Sequence, residues 1–224
     1  MTNYTAIIIE PRKHKALSFV LKNFFENLSE EWSFVIFHGN QNKEYIMDIM
    51  ENELFQYKHR VIEYKNLNKD NLTPIEYSIL IADKEFYHNI PSDVFLIFQT
   101  DSMIFKENKN LINEYLKYDY VGAPWKSDNN IGNGGLSLRR KSKMLEIIEN
   151  VNYEFNYEDI YFCLQNKVYV NKPTLEEAKK FSIETIFNET SFGVHNCWKH
   201  LNNQELNYLI DKYPDLQTLI ILNQ

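Results

Sequence analysis

The chain has 224 residues, of which 44% are hydrophobic and 25% charged, a composition typical of one soluble globular domain. Its formal net charge of −7 argues against a general nucleic-acid-binding protein, because such proteins neutralise phosphates with a basic surface. The two cysteines, Cys163 and Cys197, are too few for a disulfide framework and do not form a metal motif. The N-terminal apolar run is too short for a signal peptide or a transmembrane helix, so we expect a soluble, cytoplasmic protein.

Short apolar runs alternate with helical patterns through the first half of the chain. Strands are predicted over residues 5–9, 32–37, 60–64 and 94–98, and helices over residues 16–25, 43–54 and 74–86. Such alternation predicts an α/β fold with a Rossmann-like, mostly parallel central sheet flanked by helices.

The second half continues the pattern with more helices. Helices are predicted over residues 111–117, 143–149, 158–164, 176–182 and 203–221, the last broken at Pro214, and strands over residues 135–139 and 168–170. No repeat or linker divides the chain, which predicts a single domain over residues 1–224.

The most apolar predicted strand, residues 94–98, runs directly into Gln99, Thr100, Asp101 and Ser102. In open α/β sheets, ligands bind beyond the carboxyl ends of the strands. A carboxylate placed there suits a divalent cation that bridges to phosphate oxygens. The alternative is that Asp101 only caps the turn that follows the strand.

A glycine-rich segment is the most distinctive feature of the sequence. Residues 120–125 (YVGAPW) precede residues 132–141 (GNGGLSLRRK), which contain Gly134 and Gly135. Glycines allow a ligand to lie against the main chain, and the cations that follow suit an anionic ligand. Trp125 is placed to stack on a ring. Together these features predict a site for a sugar attached to a phosphate.

Two further groups of polar residues are candidates for chemistry. Glu158 and Asp159 open a predicted helix, where acidic residues serve either as N-terminal caps or, alternatively, as a general base. His195 lies in a short loop between aromatic residues and is either a metal ligand or a polar group in a packed loop. Since no local metal motif surrounds it, His195 and Asp101 would have to meet in space.

In this order, the motifs resemble the nucleotide-sugar glycosyltransferases of GT-A fold, most closely the glycosyltransferase-like family DUF5672 of bacteria and large DNA viruses. The resemblance rests on residues 7–12, 98–102, 120–125, 132–139, 158–159 and 192–195. It implies a hexosyltransferase that moves a sugar from a nucleotide sugar, UDP-linked by analogy of fold, to a hydroxyl of a glycan or protein acceptor. For a viral member, it places the protein in the host or viral-factory cytoplasm.

The resemblance also assigns roles by position. Asp101 and His195 would hold Mn²⁺ or Mg²⁺, although Gln99 replaces the first aspartate of the D-x-D motif, which bears on metal dependence. Asp159, paired with Glu158, would be the catalytic base of an inverting reaction. Contacts to the donor are expected from Glu10, Arg12, Gln99, Thr100, Asp101, Ser102, Trp125, Gly134, Gly135 and Arg139.

The expected contacts of Glu10, Arg12 and Arg139 with the donor have alternatives. Glu10 and Arg12 either approach the nucleoside or form a solvated loop pair. Arg139 and Arg140 point to opposite faces of their strand, so only one is expected to contact the phosphates.

Residues 1–101 are expected to bind the nucleotide, and residues 102–224 are expected to bind the sugar and the acceptor. The alternative function is a non-catalytic nucleotide-sugar-binding module, and a structural or interaction protein has the least support.

Overall fold

Strands and helices alternate along most of the polypeptide, as the apolar patterns predict. The computed structural model describes residues 2–127, 130–154 and 157–224. Its strands are β1 (Tyr4–Ile9), β2 (Trp32–His38), β3 (Ile62–Asn66), β4 (Val94–Phe98), β5 (Ser102–Ile104), β6 (Tyr120–Val121), β7 (Leu136–Arg140), β8 (Ser182–Ile183) and β9 (Gly193–His195). Its α-helices are α1 (Leu17–Asn27), α2 (Lys43–Asp48), α3 (Pro74–Ile81), α4 (Ile112–Tyr115), α5 (Lys141–Asn150), α6 (Glu158–Leu164), α7 (Leu175–Phe181), α8 (Asn203–Lys212) and α9 (Asp215–Leu222).

The central sheet has six strands in the order β3-β2-β1-β4-β7-β6. The first four strands in that order are parallel, and β7 runs antiparallel to both β4 and β6. Strands β2 and β3 are added in turn on one side of β1, and the chain then crosses to the other side of β1, where it forms β4. The switch between β1 and β4 opens a crevice at their carboxyl ends, which is where open α/β sheets bind ligands.

Apolar side chains cover both faces of the central sheet. Every residue of β4 is buried, which agrees with its continuous apolar sequence and central position. Helix α1 packs on one face, where Phe24 stacks on Phe98 with ring centroids 3.9 Å apart. Residues of α3, α5 and α6 pack on the other face around Phe95 and Ile97. The flanked, mostly parallel α/β sheet predicted from the sequence is therefore confirmed.

A second, three-stranded sheet lies beyond the end of β4 and has the order β5-β9-β8. Strand β5 pairs antiparallel with β9, and β8 pairs parallel with β9. The side chain of Asn23 on α1 anchors this sheet, because it donates to the carbonyl of Ile104 and accepts the Ile104 N–H. This small sheet brings the C-terminal third of the chain to the crevice.

The helix boundaries follow local sequence signals. Helices α3, α7 and α8 each begin at a capping box, in which an Asn or Thr side chain and a Glu three residues later satisfy free N–H groups. Pro214 separates α8 from α9, as predicted, because proline cannot continue the hydrogen-bond ladder. Helix α2 continues as a π-helical turn over Ile49–Glu53, so the predicted helix over residues 43–54 changes its winding near the middle.

The predicted strand over residues 168–170 is wrong. Gln165 satisfies this segment locally: its side-chain oxygen accepts the N–H groups of Lys167 and Val168, and its side-chain nitrogen donates to the Val168 carbonyl. Both backbone groups of Val168, the first residue of the predicted strand, are thus already used by one side chain. Among the residues described, no helix combines the length and apolarity needed to cross a membrane.

Candidate functional site

A cavity of about 430 Å³ opens at the carboxyl ends of β1 and β4, at the switch in strand order. It is lined by Ile9, Glu10, Pro11, Arg12, Asn71, Leu72, Thr73, Pro74, Tyr77, Ser78, Gln99, Thr100, Asp101, Asn133, Gly134, Gly135, Tyr157, Glu158, Asp159 and His195. This volume is within the range of small-molecule sites, which run from about 300 to 1,000 Å³. The lining combines carboxylates, an imidazole, an arginine and exposed backbone.

The turn between β4 and β5 sets the position of Asp101. Ser102 stabilises this turn: its hydroxyl accepts the N–H of Gln99 and lies 3.0 Å from the Gln99 carbonyl and 3.1 Å from that of Gly135. Ser102 is paired in register with His195 across the small sheet, and the N–H of Asn196 donates to the Asp101 carbonyl. The strand pairing therefore places Asp101 and His195 side by side, although they are 94 positions apart in the sequence.

Asp101 and His195 face each other at the cavity wall. Nε2 of His195 lies 3.3 Å from Oδ1 of Asp101, and Nδ1 lies 3.2 Å from Oε1 of Glu184. Burial lowers the pKa of His195, but the two flanking carboxylates outweigh burial and raise it to about 10. Burial opposes ionisation of Asp101, and the nearby His195 lowers its pKa below the ordinary value. The imidazole thus lies between two negative groups.

The same pair fits a divalent cation. Among the residues described, Oδ1 of Asp101 is buried and makes no hydrogen bond of good geometry, and its nearest charged neighbour is Nε2 of His195 at 3.3 Å, so a cation would satisfy this oxygen. One carboxylate oxygen and one imidazole nitrogen are a donor set suited to Mn²⁺ and related ions, once the cation displaces the proton that the raised pKa keeps on Nε2 of His195. The described residues contain no cluster of three acidic, His or Cys ligands, so a cation here would need further ligands from elsewhere.

Gly134 and Gly135 lie between the two chemical groups of the site. A Cβ on Gly135 would stand 2.2 Å from Nε2 of His195, and a Cβ on Gly134 would stand 2.3 Å from Oε1 of Glu158. Neither glycine has a positive φ angle. These glycines were expected to make room for the sugar. In the structure, the absence of a Cβ at Gly135 leaves space for the His195 side chain, and its absence at Gly134 leaves space for the Glu158 side chain.

Asp159 presents a carboxylate with an unusual protonation equilibrium. Burial raises its pKa to about 6, and the neighbouring charge of Glu158 adds to this effect. Its Oδ1 accepts the N–H of Ile160 at 2.8 Å, which orients the group at the start of α6. A carboxylate with a pKa near neutrality is matched to accepting a proton near pH 7.

Glu158, although it is next to Asp159 in the sequence, has a different role. Its two oxygens accept from Nη1 and Nη2 of Arg139 at 2.5 and 2.9 Å. Arg139 is completely buried, packs over the ring of Tyr120 and donates from Nε to Ser137. This contradicts the expected contact between Arg139 and donor phosphates, because the guanidinium is below the cavity wall and engaged with Glu158. It also makes Glu158 an ion-pair partner rather than a base.

Arg140 points away from the site, as strand alternation predicts. Its guanidinium lies 3.1 Å from Oδ2 of Asp93 and 3.4 Å from Oδ1 of Asp119. Since β7 runs antiparallel to β4, Arg140 is opposite Val94, at the end of β4 that is remote from the cavity. Arg140 therefore belongs to a peripheral ion-pair group.

Glu10 and Arg12 form the wall of the cavity at the end of β1. Nε and Nη2 of Arg12 donate to the two oxygens of Glu10 at 2.8 and 2.7 Å. The side-chain amide of Asn42 donates to the carbonyls of both residues, which fixes the loop. Glu10 is buried, whereas the Arg12 side chain remains 53% exposed and accessible to an anionic ligand.

The structure brings most of the predicted residues to one cavity. Those that line it are Glu10, Arg12, Gln99, Thr100, Asp101, Gly134, Gly135, Glu158, Asp159 and His195. Of the remaining predictions, Ser102 and Arg139 are buried behind the described lining, and Trp125 lies over Gly132. The expected stacking of Trp125 on a ring of the donor therefore has no support from this arrangement.

Several residues of the site were missed in the sequence. Asn133 lies inside the glycine-rich motif, so the sequence could have indicated it as a site residue. Its side-chain oxygen accepts the N–H of Gly135. Tyr157 precedes the acidic pair and lines the cavity with a side chain that is half exposed. Glu184 follows the two-residue strand β8, and no local pattern indicates that it faces His195.

Solved structures share this fold at low sequence identity. The glycosyltransferase GlyE of Streptococcus pneumoniae TIGR4 aligns with 100% of this chain and 63% of its own, with a TM-score of 0.60 and 12% identity. HddC of Yersinia pseudotuberculosis aligns with 77% of this chain and 89% of its own, with a TM-score of 0.50 and 10% identity. A second structure of HddC, in complex with GMP-PN, also shares the fold of this chain, with a TM-score of 0.50 and 11% identity. Such likeness shows a shared fold.

Sequence comparison identifies the family. No curated protein matches the chain. The family model described as a protein of unknown function (DUF5672) matches residues 61–195, which include Asp101, the glycine-rich segment, Asp159 and His195. Because this match covers more than half of the chain, the protein belongs to the DUF5672 family.

Proposed function

We propose that the protein is a glycosyltransferase of GT-A type that transfers a sugar from a nucleotide sugar to an acceptor hydroxyl. The observation that carries this proposal is the arrangement of two separate groups around Gly134 and Gly135: the Asp101–His195 pair beside one glycine, and Asp159 beside the other. One group suits a diphosphate with its counter-ion, and the other suits proton removal from an acceptor. The fold shared with GlyE, a glycosyltransferase, supports the same assignment.

The donor would bind with its diphosphate at Asp101 and His195. These two residues would hold Mn²⁺ or Mg²⁺, with phosphate oxygens supplying further ligands, and the cation would neutralise charge that develops on the departing nucleoside diphosphate. Arg12, half exposed at the cavity wall, is placed to contact the anionic donor, while Glu10 fixes its orientation. On this side of the cavity, residues 1–101 would contribute Glu10, Arg12 and Asp101, and residues 102–224 would contribute His195.

Asp159 would act as the base toward the acceptor. Its carboxylate accepts the proton of the acceptor hydroxyl, whose oxygen forms a bond to the anomeric carbon of the sugar. The bond from that carbon to the phosphate oxygen breaks, and its electron pair leaves with the diphosphate. A positioned base contributes about 10²–10⁴-fold to the rate. Direct attack of this kind inverts the anomeric centre.

The acceptor would enter from the side formed by residues 102–224. Tyr157, a residue that is 53% exposed, lies at this side of the cavity, immediately before the acidic pair. A half-exposed aromatic ring beside a base suits a glycan or protein acceptor that packs on the ring while its hydroxyl reaches Asp159. The donor nucleotide is proposed as UDP, the commonest donor for this fold, by analogy alone.

A binding screen followed by a turnover assay tests the proposal. Nucleotide sugars are screened by thermal shift with and without Mn²⁺; a ligand at 100 times its dissociation constant stabilises the folded protein by about 2.7 kcal/mol. Any donor that binds is then incubated with the protein, and release of the nucleoside diphosphate is measured. Stabilisation together with release supports a transferase. If no nucleotide sugar gives either, the proposed function is wrong.

The second candidate is a nucleotide-sugar-binding module without catalysis. Gln99 favours it, because an amide replaces one of the two aspartates that usually hold the metal and leaves Asp101 as the charged ligand of this motif. This candidate predicts stabilisation by a nucleotide sugar without release of the diphosphate under any acceptor condition. The same two measurements therefore distinguish the candidates.

A further inference from the structure

We propose that Glu184 is a positioning residue, which orients His195 and directs its Nε2 toward the cation beside Asp101. The inference rests on the proposed function, since it concerns the metal that the donor diphosphate would share. Glu184 belongs to none of the motifs that carry the family resemblance, and it acts through His195 without lining the cavity itself.

Strand pairing brings Glu184 to His195. Strand β8 runs parallel to β9 with Ile183 opposite Val194, so the next residues along, Glu184 and His195, lie side by side. Residues opposite each other on neighbouring strands point to the same face of a sheet. Oε1 of Glu184 lies 3.2 Å from Nδ1 of His195, on the opposite side of the ring from Asp101.

The carboxylate of Glu184 is buried and held in place. Its Oε1 accepts from Nδ2 of Asn133 at 2.8 Å, and the Oδ1 of Asn133 accepts the N–H of Gly135 at 2.9 Å. Gly135 is in turn the residue whose missing Cβ leaves room for the imidazole of His195. Glu184, Asn133, Gly135 and His195 therefore form a closed set of contacts that fixes the ring in one orientation.

Charge determines which nitrogen of His195 carries the proton when a cation is bound. An imidazole that ligates a metal must offer one nitrogen without a proton and keep the proton on the other. The negative charge of Glu184 favours a proton on Nδ1, which leaves the lone pair of Nε2 directed at the side where Asp101 lies. Among the residues that the structure describes, Glu184 is the charged group that acts on the ring orientation and the proton position from this side.

A purely structural role for Glu184 makes different predictions. If the residue only supports the β8–β9 sheet, its removal lowers the stability of the folded protein and leaves the metal affinity of the folded fraction unchanged. If it positions His195, metal affinity falls even in protein that is fully folded. Outer carboxylates of this kind typically contribute about 10- to 100-fold to metal affinity.

The experiment measures Mn²⁺ binding to the full chain by the loss of the free Mn²⁺ paramagnetic resonance signal. Titrations are done with UDP present, and binding of Mn²⁺ to UDP alone is subtracted. The variants are Glu184→Gln, which keeps an oxygen near Nδ1 but removes the charge, and Glu184→Ala, which removes both. Glu177→Gln is the matched control, since Glu177 accepts from the Tyr118 hydroxyl and lies outside the cavity lining. Thermal melting of each variant without metal confirms folding.

We expect Glu184→Ala to weaken Mn²⁺ binding by about 10- to 100-fold, Glu184→Gln to fall between it and the unsubstituted chain, and Glu177→Gln to leave binding unchanged. Equal Mn²⁺ affinity in folded Glu184 variants and the unsubstituted chain would overturn the positioning role and leave the proposed function standing. Absence of Mn²⁺ binding by the unsubstituted chain would also overturn it. Failure of the proposed function itself is a separate outcome, detected as absence of nucleotide-sugar binding with and without metal.

Discussion

Arg139 and Glu158 form a buried ion pair in which Nη1 and Nη2 of the arginine donate to the two carboxylate oxygens at 2.5 and 2.9 Å. The pair joins β7 of the central sheet to the first turn of α6. Because Asp159 is the next residue on α6, the ion pair fixes the position of the carboxylate that we propose as the base. The negative charge of Glu158 also raises the pKa of Asp159, after the larger effect of burial.

The first prediction concerns the stability of this pair. Glu158→Gln leaves the buried guanidinium of Arg139 without its counter-charge, and removal of one partner from a buried pair typically costs about 3–5 kcal/mol. We expect a loss of this size in the free energy of unfolding, measured by urea denaturation. Glu30→Gln is the control, because Glu30 is exposed and its partner Arg60 also donates to backbone carbonyls. A loss below about 1 kcal/mol is expected there, and equal losses in both variants would contradict the account.

The second prediction is a gain of stability on replacing Asp159. Its pKa is about 6 in the folded protein against an ordinary value of 3.8, so folding favours the protonated form. The stability that this group contributes is full below about pH 3.8 and is lost as the pH rises through about 6. Asp159→Asn, which can still accept the N–H of Ile160, should therefore be more stable than the unsubstituted chain at pH 8, by roughly 1–3 kcal/mol.

Urea denaturation at pH 4, 6 and 8 tests this pH dependence. The difference between Asp159→Asn and the unsubstituted chain should shrink as the pH falls, because the native carboxyl becomes protonated. A constant difference, or a destabilised variant at pH 8, would show that burial does not perturb the carboxyl in the manner described. The same variant should lack transferase activity.

The third prediction is the pH dependence of catalysis. A base must be unprotonated in the free enzyme, so kcat/KM should rise with pH and level off above the Asp159 pKa of about 6. Below that pH, the rate constant should fall about tenfold for each pH unit. The measurement is kcat/KM between pH 5 and 8, with folding monitored at each pH. A flat profile over this range would argue against Asp159 as the base.

The fourth prediction concerns Gly135. A methyl group at this position would stand 2.2 Å from Nε2 of His195, so Gly135→Ala forces the imidazole to move and should weaken Mn²⁺ binding as well as stability. Gly39→Ala is a steric control, since its Cβ would meet the carbonyls of Lys69 and Pro11 at 2.4 and 2.6 Å and no proposed metal ligand; because Pro11 lines the cavity, Mn²⁺ binding is measured without nucleotide. We expect both variants to be destabilised, but only Gly135→Ala to lose metal affinity in its folded form. Equal Mn²⁺ affinities of folded Gly135→Ala and the unsubstituted chain would show that Gly135 does not help to position His195.

Much of the fold could be predicted because short stretches of the sequence indicate the individual strands and helices. The continuous apolar run of β4 predicts a buried central strand, and the polar residues that follow it predict the ligand edge of the sheet. Asp101 could therefore be proposed from one short segment. In contrast, no strand forms over residues 168–170, where the side chain of Gln165, outside the predicted strand, satisfies both backbone groups of Val168.

The partners within the site were less predictable, since they depend on tertiary contacts. The sequence Arg139-Arg140-Lys141 resembles an anion-binding cluster, yet Arg139 is neutralised by Glu158, 19 positions away. Glu184 reaches His195 only through the pairing of β8 with β9, and both strands are too short to be recognised from their residues. A pattern in the sequence indicates which residue types are present, whereas strand register determines which of them meet.

In the proposed reaction, sugar transfer depends on Asp101 and Asp159, which lie at opposite ends of the glycine pair. The most direct measurement is release of nucleoside diphosphate from a bound nucleotide sugar with Mn²⁺ and acceptor, for the unsubstituted chain, Asp101→Ala and Asp159→Ala. We expect release by the unsubstituted chain and a decrease of at least about 100-fold in each variant, with Asp159→Ala still binding the donor. Full activity in both folded variants would contradict it.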